Sequence, residues 1–105
     1  MATCSTRVSI PSSSTEFVRA QVTRWVGGAD PTVYSIDFGF TSSRGTEPTV
    51  WYPGDWQVIG ARTYARVLVG PDSEANLPEG RYAVWLRLNA APERPVREIG
   101  SLEIS

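Results

Sequence analysis

Leu77-Pro78-Glu79-Gly80-Arg81-Tyr82 is the stretch whose reading decides the fold. The spacing Leu-x-x-Gly-x-Tyr is that of a tyrosine corner, a turn that feeds the penultimate strand of a two-layer β-sandwich. Its Tyr hydroxyl bonds back to backbone a few residues upstream. Beyond the corner, Tyr82, Val84, Leu86 and Leu88 alternate with Ala83, Trp85 and Arg87. That period of two is what a strand with one buried face requires. The loop Ala90-Ala91-Pro92-Glu93-Arg94-Pro95 then returns the chain, because each proline removes a ladder donor. Along the last strand the alternation slips. Val96 and Glu98 count in step with Leu102 and Ile104, with Gly100 between them, so the charged Glu98 falls in the apolar phase unless a bulge near Gly100 shifts it.

Working back from the corner, Arg62 to Val69 carries Ala65, Val67 and Val69 inward and is closed by Gly70-Pro71-Asp72-Ser73. Val33 to Thr41 places Ile36, Phe38 and Phe40 inward against Ser35, Asp37 and Gly39. Glu16 to Arg24 does the same with Val18, Ala20 and Val22, and Gly27-Gly28-Ala29-Asp30-Pro31 reads as the following turn. Thr41 to Pro48 is polar and reads as a surface loop. Pro53-Gly54 is a turn between short edge strands near Val50 and near Gln57 to Ile59. No helical period of useful length occurs anywhere. The expectation is all-β: an immunoglobulin/fibronectin-III-like β-sandwich of about seven antiparallel strands over residues 16–105, with a small barrel as the other architecture. Residues 1–15, rich in Ser and Thr, are expected to form a flexible N-terminal arm or a weak first strand, in which Val8 and Ile10 alternate and Pro11 stops the ladder or sets it on an edge.

Composition narrows the function. A chain of 105 residues fits one domain, and at that size about 65% of the unfolded surface can be buried without disulfide support. No apolar run approaches the about 18 residues of a membrane span, and Met1 to Ile10 lacks the basic start and apolar centre of a signal peptide. A soluble protein of the cytosol, or one assembled there, is expected. There is one cysteine, Cys4, and no histidine. Neither an internal disulfide nor an ordinary zinc site can be built, and Cys4 has no imidazole to activate it. General acid–base chemistry falls to carboxylates, yet Asp30, Asp37, Asp55 and Asp72 sit mostly in turns, where Asp is favoured for local bonding. Gly27-Gly28 is followed by neither a Lys nor a helix and is no phosphate loop. All 10 basic residues are Arg, and they are spread along the chain rather than clustered, so no nucleic-acid footprint follows. The reading is a non-enzyme with no catalytic residues, no cofactor and no metal.

Two groups remain as candidates for recognition. Strand parity puts Ala83, Trp85 and Arg87 on the outer face of the penultimate strand, with Asp37 and Ser35 of the expected neighbour alongside. A Trp and Arg pair on an exposed sheet face has the composition of a protein-interface anchor, against the plainer reading that loops of the same domain shield Trp85. The second group is Trp51, Tyr52 and Trp56. Aromatic rings at a sandwich rim can stack on sugars and form a carbohydrate-binding module for host cell-surface glycans. They can equally plug the open edge of the sandwich, each indole N–H reaching a carbonyl, or touch another subunit.

Several blocks carry a family resemblance: Glu16-Phe17-Val18-Arg19, Asp30-Pro31-Thr32, Ala65-Arg66-Val67-Leu68-Val69-Gly70-Pro71, Gly80-Arg81-Tyr82-Ala83-Val84-Trp85, Pro92-Glu93-Arg94-Pro95-Val96-Arg97 and Gly100-Ser101-Leu102-Glu103-Ile104. In these the chain resembles small immunoglobulin-like virion structural proteins of tailed bacteriophages, especially phages of actinobacteria. The Gly-x-Tyr-x-Val-Trp strand followed by Pro-Glu-x-Pro-Val is the most specific part, since the fold does not demand it. The resemblance implies a structural subunit of the head, the head-to-tail connector region or the tail, assembled in the cytoplasm of a bacterial host. Its implied partners are other virion proteins, namely capsid, connector or tail subunits, with self-association also open, and neither nucleic acid nor membrane. Docking is expected through sheet faces and the N-terminal arm.

Overall fold

Among the described residues eight runs form strands. They are β1 (Thr3–Ile10), β2 (Glu16–Arg24), β3 (Ser35–Thr41), β4 (Trp51–Pro53), β5 (Asp55–Ile59), β6 (Arg62–Val69), β7 (Gly80–Asn89) and β8 (Val96–Ile104). The computed structural model describes residues 3–24, 33–42, 45–89 and 94–105. The turn read at 27–31 and most of the loop at 90–95 lie outside the described residues.

Hydrogen-bonded neighbours run in the order β4-β3-β7-β8-β1-β2-β6-β5. With β2, β6 and β5 in one layer and β3, β7 and β8 in the other, this is the strand division of an immunoglobulin-like sandwich, extended by β4 at one edge. The layers share β1. Thr3 to Ser5 pair antiparallel with β2, whereas Thr6 to Ile10 run parallel to Gly100 to Ile104 of β8. Among the described residues there are thus eight strands where the sequence pattern shows about seven, and the β1–β8 pairing is parallel. The N-terminal segment from Thr3 is a strand between two others. Its apolar residues explain this: Ile10 is fully buried and Val8 packs against the core. Pro11 follows the last ladder position and ends the strand.

The inward residues expected from alternation form the core. Val18, Ala20, Ile36, Phe38, Ala65, Val69, Val84, Leu86, Leu88 and Leu102 are all buried, and Phe40 and Tyr82 pack half-buried against them. The bulge near Gly100 is present. Val84 faces Gly100 but Trp85 faces Glu98, which leaves Ile99 as the extra residue and turns it into the core. The corner closes as its spacing requires: the Tyr82 hydroxyl donates to the Pro78 carbonyl at 2.6 Å.

Candidate interaction face

Residues directly opposed across an antiparallel ladder share a face. On the outer side of the β4-β3-β7-β8 layer this gives one row Trp51, Gly39, Trp85, Glu98 and a second row Pro53, Asp37, Arg87, Val96. Gly39 therefore lies between two tryptophans. Its missing side chain is what the local structure needs. A Cβ there would stand 2.4 Å from Pro48 Cγ and 3.2 Å from Trp51 Cε3. The segment leading into β4 folds back over Gly39 and buries Pro48. At its near end the Gly45 amide donates to Glu98 Oε1 at 2.9 Å, so the segment is tied to β8.

Beside this strap lies a charged and aromatic cluster. Arg87 donates from Nε and Nη2 to Asp37 Oδ2, at 3.2 and 2.7 Å. Its guanidinium lies over the Trp51 ring, 4.4 Å from the centroid. Asn89 Nδ2 donates to the same Asp37 oxygen at 3.0 Å and to Ser35 Oγ at 3.2 Å. The Arg87 and Asp37 side chains are only 22% and 18% exposed. A pair this desolvated holds because each charge is satisfied several times over, by charge-assisted hydrogen bonds and by the π face of Trp51. Trp85 donates from Nε1 to Thr41 Oγ1 at 3.3 Å, which fixes the indole on the same face.

Of the interface residues read from the sequence, Trp85 and Arg87 are here, with Asp37 and Ser35 alongside as strand parity implied. Ala83 shares their face but is 4% exposed and offers a partner almost no surface. Trp85 is half-buried. Trp51 joins them, a partner that the sequence reading assigned to the other group.

That other group does not form one surface. Trp51 and Tyr52 are adjacent in a strand, so their side chains leave on opposite faces. Tyr52 goes inward and packs against the core, its ring tilted 45° to that of Phe40 at 6.0 Å. Trp56 lies beyond Gly54, where the chain passes from one layer to the other. It plugs the sandwich edge, with Nε1 donating to the Tyr34 carbonyl at 2.8 Å. A sugar cannot stack on all three. The capping of the face by Pro48 escaped the sequence reading, although an isolated glycine within a strand is a sign of close approach by another segment.

The outer face of the other layer is built differently. Phe17 carries the Arg66 guanidinium at 4.2 Å and that of Arg19 at 5.7 Å. Arg66 forms a two-oxygen pair with Asp55, and Arg19 Nε donates to Gln57 Oε1 at 2.8 Å. Among the described residues no three His, Cys, Asp or Glu stand close enough together to hold a metal ion.

No protein-family model matches the chain, and no curated protein matches it. A solved structure does. The endo-beta-1,4-mannanase from Thermotoga petrophila superposes with a TM-score of 0.54 at 14% identity, over 100% of this chain and 20% of the mannanase chain. The likeness is one of fold. This chain spans about a fifth of the mannanase's length, and at such low identity no residue of one assigns a role in the other.

Proposed function

We propose that this protein is a non-enzymatic structural subunit that docks another protein on the outer face of β3, β4 and β7. The observation that carries the reading is the Trp51–Arg87–Asp37–Asn89 cluster. Trp and Arg are the side chains on which binding energy concentrates, and here they are held in place before any partner arrives. Holding them in advance lowers the ordering cost that a partner would otherwise meet on binding. Trp85 flanks the cluster, and Arg87 sets the charge pattern at its centre. The resemblance to tailed-phage virion proteins supplies the setting: a particle subunit whose partners are capsid, connector or tail proteins.

The reading is tested by light scattering of the purified protein at about 10 μM, alone and with the capsid, connector and tail proteins of its source. A defined complex with one of them is expected, weakened by Trp51→Ala at least tenfold, which corresponds to about 1.4 kcal/mol. Far-UV spectra and melting curves confirm that the variant is folded. The reading fails if the complex is indifferent to Trp51→Ala and Trp85→Ala. It also fails if no virion protein binds while a cell-wall glycan shifts the tryptophan emission.

A further inference from the structure

The strand order has two ends, and they are finished differently. The β4 end is short and protected: three residues that terminate in Pro53, which has no N–H to offer a new strand. Among the described residues the β5 end has no such protection. Asp55-Trp56-Gln57-Val58-Ile59 contains neither proline nor lysine and pairs without a bulge from Asp55 opposite Arg66 to Ile59 opposite Arg62. The two-residue turn Gly60-Ala61 keeps it straight to its end, with Gly60 alone at positive φ as in a type II′ hairpin. Val58 and Ile59 are nevertheless 60% and 56% exposed.

We infer that β5 is a self-association edge, on which a second copy of this chain adds its own β5 antiparallel about a two-fold axis at Gln57. The occupant follows from the sequence of the strand, which complements itself when reversed. Gln57 meets Gln57 of the second copy, Trp56 meets its Val58, and Asp55 meets its Ile59. Each exposed Val58 is then covered by an indole. On the outer face the row becomes Arg66, Asp55, then Ile59 and Arg62 of the second copy. At about 4.8 Å per strand, Asp55 lies about 10 Å between Cα atoms from that Arg62, within reach of an arginine side chain. The Asp55 carboxylate is 58% exposed even while paired with Arg66, so it retains acceptor sites. The two-fold axis repeats the ion pair at the other end. An unrelated strand would meet the exposed Val58 and the Asp55 charge without this matching.

Five residues of edge bury less than the about 1,200 Å² of a standard interface, so the dimer is weak, and it gains from the high local concentration of an assembly. Sedimentation velocity from about 5 to about 500 μM tests it, with a half-dimer point expected near about 100 μM. The mass should rise toward twice the monomer. Val58→Lys with Ile59→Lys, both at exposed positions, should weaken the dimer at least tenfold and leave the melting curve unchanged. Trp51→Ala should leave the dimer intact, which separates this edge from the docking face proposed above. Monomer throughout the range overturns the inference. So does a dimer that survives the double lysine variant, since it would be formed elsewhere.

Discussion

At Gly39 the absence of a side chain lets Pro48 and the Trp51 ring both lie against the backbone of β3. Gly39→Ala forces Pro48 off the face, and the overpacking should cost about 1–3 kcal/mol in urea unfolding, with a red shift in tryptophan emission as the strap lifts. Tyr82 makes a second single-residue test. Its hydroxyl bond to Pro78 is worth about 1 kcal/mol, which Tyr82→Phe should remove. Burial, and then the neighbouring Tyr52, raise the Tyr82 phenol above its ordinary value of 10.0. The folded state therefore favours the neutral phenol. The resulting stabilisation is complete below the unfolded value and is lost as pH rises through the higher folded one. Thermal melts above about pH 10 should fall more steeply for the native protein than for Tyr82→Phe. The same alkaline slope in both would contradict this.

For whole elements the decisive case is β1. Ile10 anchors it in the core, so Ile10→Ala should lower stability by about 2–4 kcal/mol in denaturant unfolding, whereas a change in a solvated arm would cost almost nothing. Legibility in the sequence followed from where each strand's information resides. β2 and β6 were readable to the residue because alternation within the strand and turn residues at its ends are both local signals. The bulge at Ile99 was readable because the apolar phase changes within β8 itself. β1 was only half readable. Val8 and Ile10 show the alternation, but its parallel partner β8 lies at the far end of the chain, and a parallel pairing leaves no turn between the strands to announce it. The aromatic group was misleading for a similar reason. Nearness in sequence made Trp51, Tyr52 and Trp56 look like one cluster, while strand parity and the change of layer at Gly54 send them to three environments. The Arg87–Asp37 pairing was accessible from parity once β3 and β7 were taken as neighbours, but the Trp51 stack over Arg87 needed the position of β4.

Over the whole molecule the Cα radius of gyration is 13.2 Å, against about 13 Å for a closed domain of this length. Closure depends on the first strand lying beside the last. Thr6 stands next to Gly100 and Ile10 next to Ile104, and the pairing continues past the strand ends through Ser105 N–H to the Ile10 carbonyl at 3.0 Å and Ser12 N–H to the Ser105 carbonyl at 2.6 Å. Because these strands are parallel, tension applied to the two ends of the chain pulls β1 and β8 in opposite directions along their length. The hydrogen bonds between them are then loaded together in shear, instead of opening one after another like a zip. Stretching tandem repeats by force spectroscopy should give a single high rupture peak per domain, and Ile10→Ala should lower it. A gradual, low-force extension would mean that the ladder opens bond by bond. The pairing that closes the fold thus also forms a mechanical clamp, placed to carry load along the length of the domain.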